Sequence, residues 1–418
     1  MGKTGVVGGG ASGLMAAICA AQQGENVTVL ESRDRIGKKI LATGNGKCNL
    51  SNRDFQIGRD YRGHHTDLLH RYFSRFCVED TVLFFRDRGM LITDRNGYLY
   101  PRCGQASAVL DALQEEVDSL GIRTVCDCPV SGIRPPAGGQ KGFLVETPRG
   151  AFSFDRLILA CGSPAGNRHQ EGAGSEKLAH DLGLSCYEML PALVQLRCRE
   201  ESRYKRLAGV RCMARVVLHI EGLAEEAVAA EDGELQLTDY GISGIPVFQL
   251  SRYASQALRE GRRVRACIDF LPEIPEKDWA VFCLEQYRLC EGRTALQMGN
   301  GLVHKKIAQL LLAECGLKDG ERVNRRTKKK VFAFLDSLRH FETEVIATNP
   351  AENAQVCMGG VSFDEVTENL ESRRIPGLFL CGEMLDVDGR CGGYNLQWAW
   401  TSGFIAGVSA AQKNEKEE

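Results

Sequence analysis

Residues 4–31 read TGVVGGGASGLMAAICAAQQGENVTVLE, and the order of residue types in this stretch decides the fold. Residues 4–7 form a short apolar run, the pattern of a buried strand. Gly8 to Gly13 (GGGASG) follow at once with the spacing GxGxxG. Small and aliphatic residues from Ala11 to Gln23 predict a helix, and Gly24 is its stop signal. Val27, Thr28, Val29 and Leu30 predict a second strand, with Glu31 at its end. Strand, glycine turn, helix, strand and acid in register make a dinucleotide-binding fingerprint. Gly8 allows the tight turn, Gly10 lets a pyrophosphate approach the backbone, and Gly13 permits close packing of helix on strand. The helix that opens at Ala11 and Ser12 offers free N–H groups and a positive dipole end to phosphates. Glu31, followed by Ser32, can accept from both hydroxyls of a ribose and would repel a 2′-phosphate. The nucleotide expected is therefore an adenosine of the FAD or NAD type.

The next segment favours FAD. Residues 33–52 (RDRIGKKILATGNGKCNLSN) are polar, cationic and glycine-rich, with neither helical nor alternating period. They read as a long ordered loop, of the kind an extended flavin needs as a cover. Lys38, Lys39, Thr43, Gly44, Asn45, Gly46, Cys48 and Asn49 are the candidates for contacting phosphate, ribityl and ring oxygens.

Composition agrees with a folded chain. The 418 residues suggest two to four domains at roughly 100–200 residues each. Lys plus Arg (52) nearly balances Asp plus Glu (54), so charge gives no reason to expect nucleic acid or an anionic membrane as partner. The 46 glycines exceed the usual share while the 12 prolines fall below it, which suggests ligand-binding turns rather than linkers. The 17 cysteines are scattered without a CxxC pair, and Cys126, Cys128 and His169 form no zinc pattern, so no metal is expected. No window reaches 18 apolar residues and glycines break the N-terminal apolar run, so the expectation is no membrane span, no export signal and a cytoplasmic protein.

Four separated segments carry a resemblance: the fingerprint with KKILATGNGKCNLSN at 38–52, LILACGSPAGN at 157–167, GELQLTDYGISGIPVFQLSR at 233–252, and QVCMGGVSFDEV running on to GLFLCGEMLDVDGRCGGYNLQWAWTSG between 355 and 403. They resemble the BaiN/YhiN family of flavoproteins, described as NAD(P)/FAD-dependent oxidoreductases. The departure at Gly44, Asn45, Gly46 and Lys47, where relatives often carry three glycines and Arg, is local. The resemblance implies an α/β fold: a Rossmann-like FAD-binding domain, a parallel sheet with a β-meander, carrying an inserted mainly-β domain and an inserted helical domain.

On that basis residues 1–190 and 349–418 are assigned to the FAD domain. Residues 191–272 and 331–348 are assigned to the β insertion, and 273–330 to the helical one. Strands are expected at Arg123–Val130, Phe143–Thr147, Ala151–Phe154 and Leu157–Ala160, with a helix from Ser175 to Leu182. In the insertions, Arg215–Ile220 and Val264–Phe270 alternate as strands, Asp278–Cys290 and Leu302–Cys315 predict helices, and the basic run Arg325–Lys330 reads as solvated. In proteins of this architecture a residue near Val130 meets the adenine through its backbone. Ala160, Cys161, Gly162 and Ser163 there lie across the dinucleotide. Gly382 and Glu383 present a carboxylate to the ribityl chain, with Asp386 assisting. Gly393, Tyr394, Asn395 and Leu396 open a helix whose N-terminus faces the flavin pyrimidine, where negative charge gathers on reduction.

The implied function is hydride transfer. NADH or NADPH, binding transiently because no second GxGxxG exists (Gly172 and Gly174 are followed by Lys177), reduces noncovalent FAD, which then reduces an organic acceptor such as an enone. The small-molecule substrate is expected over the flavin face, between Lys47–Asn49, Gly392–Asn395 and Tyr240–Gly244. Tyr394 is the candidate proton donor, with packing against the flavin edge as its alternative role. Two other functions stay open: an oxidase that makes hydrogen peroxide from dioxygen, and a flavoprotein acting on or sensing a macromolecule such as RNA, which salt-dependent binding would reveal.

Overall fold

The computed structural model describes residues 2–136, 142–166, 174–222 and 229–412. Asn167, His169, Gly172 and the terminal KNEKEE lie outside the described residues. The chain divides into two units, residues 1–190 with 356–418 and residues 191–355.

Five short strands form the central sheet of the first unit, all parallel, in the spatial order Leu378–Leu380, Arg156–Leu159, Lys3–Val7, Asn26–Leu30, Arg123–Val125. Their near-continuous apolar sequences fit a sheet covered on both faces. One face packs Val6, Val29, Ile158 and Phe379 against Leu14, Ile18, Val109 and Trp400 of three helices, Ala11–Gln22, Ala106–Ser119 and Tyr394–Ala411. The other face packs Val7, Leu30, Leu157 and Leu380 against Phe143, Val145, Leu178, Phe363 and Trp398. The first and last helices touch backbone to backbone: a Cβ on Gly403 would lie 2.4 Å from Ser12 O, and one on Gly407 2.3 Å from Ala16 O.

The meander differs in one strand from the expectation. Arg123–Val125 belongs to the parallel sheet, and the meander is Gly132–Arg134, Phe143–Thr147 and Gly150–Phe154. The chain leaves the sheet at Asp127, whose φ of +48° turns it so that Cys128 N–H bonds Glu31 O at 2.9 Å. The predicted helix near residue 175 is present as Ser175–Asp181.

A closed antiparallel barrel organises the second unit. Its strands run in the order Leu196–Cys198, Gly241–Gly244, Ala229–Leu237, Arg211–Ile220, Val264–Asp269, Phe341–Thr348. Alternating inward residues such as Ala214, Val216, Leu218, Ala266 and Ile268 fill it. Helices Glu276–Leu289, Ala295–Asn300, Lys305–Glu314 and Lys328–Ser337 share a continuous core with the barrel through Ile307, Leu311, Phe334 and Leu335. Residues 273–330 are thus part of one body with the barrel, and residues 349–355 fall in the same unit. Two helices depart from the strand reading of this region. Ile245–Arg259 starts at Gly244 with Pro246 in its first turn, and Lys328–Ser337 buries Val331, Phe334 and Leu335 on one face.

Candidate functional site: a dinucleotide cradle at the sheet edge

The strands of the parallel sheet end together at Val7, Leu30, Leu159 and Leu380, and the residues just past those ends build the site. Ligands of open parallel sheets bind along this edge. After Val7 the chain turns at Gly8, with φ +106° and its N–H bonded to Leu30 O at 2.8 Å. A Cβ on Gly8 would stand 2.4 Å from Ala160 O, and one on Gly13 only 1.9 Å from Gly8 O, so packing within the protein explains both glycines. Gly10 is different. Its φ is −83° and a Cβ there would meet no atom within 4 Å. Nothing in the protein requires glycine at that position, whereas a phosphate seated against the opening turn of helix Ala11–Gln22 would. This open place in front of unpaired helix N–H groups is the feature that fits a pyrophosphate.

Glu31 stands at the neighbouring strand end. Its Oε2 accepts from Gly9 N–H at 2.8 Å, and its Oε1 accepts from Arg33 N–H at 2.9 Å and from the Ser32 hydroxyl at 3.2 Å. Fixed in this way, the carboxylate has three of its four lone-pair sites occupied by the protein and keeps one, on Oε2, for a ribose hydroxyl. Glu31→Ala should weaken FAD binding by about 1–3 kcal/mol, because charge-assisted bonds are lost. Titration of apoprotein with FAD, followed by fluorescence quenching, measures it; wild-type affinity would remove Glu31 from the site.

The covering segment is not a featureless loop: residues Ile40–Gly46 wind in short 3-10 turns. Gly44, Asn45, Gly46 and Cys48 all take positive φ, between +53° and +80°. Thr43 caps this turn with its hydroxyl on Ile40 O at 2.6 Å. Residues 44–47 are exposed while Cys48, Asn49 and Leu50 are buried. Asn49 Oδ1 is a buried oxygen without a hydrogen-bond partner among the described residues, and a Cβ on Gly393 would come within 2.9 Å of it. An orphaned amide beside the N-terminus of the last helix suits a flavin ring edge. Burial pushes the Cys48 thiol up to about 11, against nucleophilic attachment to a cofactor.

Lys39, Ser163 and Glu383 come together although far apart in sequence. Glu383 accepts from Lys39 Nζ at 2.8 and 3.0 Å and from the Ser163 hydroxyl at 2.7 Å. Gly382, at φ +74°, lies so close to Ser12 that a Cβ would be 2.3 Å from its Oγ. Glu383 is thereby fixed beside the glycine turn. Ala160 donates its N–H to Val7 O at 2.9 Å, and Cys161 reaches the same carbonyl with its sulfur at 3.6 Å. Gly162 follows with φ +71° and open space around it. Burial raises the Cys161 thiol to about 12, consistent with a small residue at a strand end. Val130 is buried in the core of the sheet.

Several candidates are not free to meet a ligand through their side chains. Lys38 pairs with Asp34 at 2.9 Å on the surface. Asp386, expected to assist Glu383, is 2% exposed, and its Oδ2 accepts the His64 N–H and lies 2.8 Å from that residue's Nδ1. Asn395 spends its side chain on the Gly389 N–H at 2.7 Å and the Gly389 carbonyl at 2.8 Å, stapling residues 389–395. Leu396 packs at the edge of the core. Tyr394, the candidate proton donor, donates its only hydroxyl hydrogen to Asp54 O at 2.9 Å, and burial raises the phenol to about 12. Tyr394 also packs edge-on against Tyr61, 6.0 Å between centroids, an arrangement that supports a packing role. Tyr394→Phe should leave both half-reactions at wild-type rates and cost about 1 kcal/mol of stability. A slowed oxidative half-reaction in stopped-flow would reinstate it.

In the second unit, Gly241–Gly244 is a barrel strand and the Tyr240 hydroxyl accepts from Asn349 Nδ2 at 3.0 Å. A groove of about 540 Å³ in the first unit, lined by Phe76, Phe84, Arg88, Glu116 and Phe404 among others, shares no residue with the predicted site. Sequence reasoning did not single out His64 and Tyr187, whose rings stack at 3.6 Å. No spacing announces a histidine 322 positions away from the carboxylate that holds it.

A family model described as the HI0933-like protein Rossmann domain matches residues 3–409. A 3-dehydro-bile acid delta(4,6)-reductase from Clostridium scindens is 36% identical over 416 residues, 99% of this chain and 100% of the relative. A ribosomal RNA dihydrouridine synthase from Haemophilus influenzae is 26% identical over 98% of each chain. Among solved structures, a 3-ketosteroid delta1-dehydrogenase from Sterolibacterium denitrificans is 12% identical with a TM-score of 0.49, over 99% of this chain and 100% of that one. Among the described residues, no helix is long and apolar enough to cross a membrane. Fingerprint, cradle and whole-length match agree: the chain belongs to the HI0933-like Rossmann family and is a flavin-dependent oxidoreductase.

Proposed function

We propose that this protein takes electrons from NADH or NADPH and saturates a carbon–carbon double bond conjugated to a carbonyl in a small organic enone of steroid size. The observation that carries the reading is the 36% identity, end to end, with a protein named as a bile acid delta(4,6)-reductase. A dihydrouridine, the product named for the more distant relatives, is likewise an enone-type ring with one double bond saturated, so the chemistry is common to both names. FAD, when bound, supplies the hydride-transfer chemistry.

The chain's own residues do the rest. Glu31 would hold the adenosine ribose, the opening turn at Gly10–Gly13 the pyrophosphate, and Glu383 with Lys39 and Ser163 the ribityl chain. Asn49 and the N-terminus of helix Tyr394–Ala411 would stand at the pyrimidine edge, where a helix dipole favours negative charge. The test is steady-state: heat-released FAD in near-equal molar amount, and NADH or NADPH consumption that depends on an added 3-keto-4-ene steroid. A colourless protein that cannot be reconstituted with FAD would sink the reading.

One observation favours RNA as a second reading. Residues 292–330 carry ten Lys and Arg against three Asp and Glu, and of those acids Glu314 pairs with Arg203 and Glu321 with Lys330. Two relatives at 26% and 25% identity are named ribosomal RNA dihydrouridine synthases. Binding to a ribosomal RNA fragment that weakens steeply between low and moderate salt, together with loss of uridine ultraviolet absorbance on turnover, would replace the enone reading with this one.

A further inference from the structure

We propose that His64 is the proton donor of the reduction and that Asp386 is the residue that positions it; this deepens the enone-reductase reading and rests on it. Adding hydrogen across a conjugated double bond needs a hydride at the β carbon and a proton at the α carbon. Tyr394 cannot give that proton, since its hydroxyl is committed to Asp54 O. Lys39 is committed to Glu383 and Lys38 to Asp34.

His64 has the geometry of an acid. Asp386 Oδ2 accepts the His64 backbone N–H at 2.9 Å and lies 2.8 Å from its Nδ1. A buried carboxylate at Nδ1 keeps the proton on that nitrogen and leaves Nε2 as the position that gains and loses one. The ring is held flat against Tyr187, at 3.6 Å and 9° between planes. Its side chain is nevertheless 55% exposed, and Nε2 makes no hydrogen bond to any described residue. Burial of Asp386 alone would be satisfied by the backbone N–H; the stacked, half-exposed ring is additional.

The loop is built to allow this contact. Gly63, at φ +150°, lies where a Cβ would be 2.3 Å from Asp386 O, so only glycine lets the chain come this near. The ladder pairs Asp388 with Arg62 and Gly389 with Tyr61 clamp the two segments together. Asp386 itself follows strand Leu378–Leu380, between Glu383 and the helix start at Gly393. The segment it clamps reaches the start of that helix, where the Tyr61 hydroxyl bonds Tyr394 O at 2.8 Å.

In the step, the β carbon receives a hydride, with reduced FAD as the reductant, and the α carbon receives the Nε2 proton of the His64 imidazolium. Two bonds break, the His64 N–H and the bond that carried the hydride on the reduced flavin, and two C–H bonds replace the C=C π bond. The acceptor is reduced by two electrons and FAD is oxidised by two. The neutral ring, still bonded through Nδ1–H to Asp386, regains its proton from water on its exposed side.

The experiment uses FAD-loaded protein reduced by light, so that nicotinamide is not needed, and has two readouts. In ¹⁵N-histidine NMR of the oxidised protein, the His64 ring, identified by its absence in His64→Gln, should show an Nδ1–H tautomer that Asp386→Asn abolishes. Its Nε2 shift should move when a phenolic steroid, a mimic of the enolate, is added. In anaerobic mixing, His64→Gln should keep wild-type FAD affinity while its reoxidation by a 3-keto-4-ene steroid slows by about 100-fold or more. Equal reoxidation rates, or a ring resonance indifferent to the mimic, would overturn the acid role alone. A wild-type protein that no enone reoxidises would overturn the functional reading and the acid role together. Should His64→Gln fail to hold FAD, the response of the wild-type ring resonance to the mimic decides by itself.

Discussion

Gly10→Val is expected to yield a folded, colourless protein. A Cβ at this position would have no protein atom beyond its chain neighbours within 4 Å, so the fold leaves room for the substituted side chain to start. Its φ of −83° is one that valine adopts without strain. The same methyl groups would occupy the space in front of the helix N-terminus that a pyrophosphate needs, and the charge-assisted bonds there would be lost. FAD affinity should fall by at least about 100-fold, or about 2.8 kcal/mol, with the far-ultraviolet circular dichroism of the apoprotein unchanged. Gly13→Ala makes the contrast. Its Cβ would collide with Gly8 O at 1.9 Å, so both fold and cofactor should suffer. Retention of FAD by Gly10→Val at wild-type affinity would mean that the phosphate turn is misplaced.

Trp400→Ala is expected to cost the first unit about 3–5 kcal/mol, the range for truncating a buried aromatic side chain. Trp400 is fully buried, meets Phe85 edge-on at 5.3 Å, and donates its indole N–H to Leu50 O at 3.0 Å. Truncation leaves a cavity under the sheet and an orphaned carbonyl at the end of the covering segment. Because Leu50 follows Cys48 and Asn49, FAD affinity should weaken along with stability. Urea unfolding followed by circular dichroism measures the first effect; a midpoint within experimental error of wild type would show that the last helix is not packed as described. Trp400→Phe, which keeps most of the volume but not the indole N–H, should recover part of the loss.

The parts of the fold that were legible in the sequence are those governed by neighbours in the chain. The glycine turn, its helix and the acid at Glu31 form one short unit whose strand, turn and helix periods can be read directly. The strand alternation in Arg215–Ile220 likewise needs only local pattern. Arg123–Val125 was harder, because pairing with Asn26–Leu30 in a parallel sheet leaves no mark in the strand itself. Lys328–Ser337 was obscured by three lysines at its start, although Val331, Phe334 and Leu335 carry its buried face.

The candidate site was legible by residue identity but not by partnership. Lys39 is a candidate for phosphate, ribityl or ring oxygens by its type, but that it bonds Glu383, 344 positions later, is not written in the segment around it. Asp386 and Asn395 stood at promising positions, yet their side chains are occupied by His64 and by the Gly389 backbone. Which of two polar groups faces a ligand and which faces the protein is decided by long-range packing, which no spacing rule contains. For the same reason the tight approach of Gly403 and Gly407 to the first helix could not be seen, although both glycines were in plain view.

The central claim, an FAD enzyme that passes electrons from a nicotinamide to an activated double bond, is tested most directly by anaerobic stopped-flow absorbance of the purified protein. Mixing with NADH or NADPH should bleach the visible absorption band of the flavin. A second mix with a 3-keto-4-ene steroid should restore the band faster than air does, with the saturated ketone recovered as product. Restoration by dioxygen alone, with stoichiometric hydrogen peroxide and no reaction with any enone, would contradict the account and make the protein an oxidase.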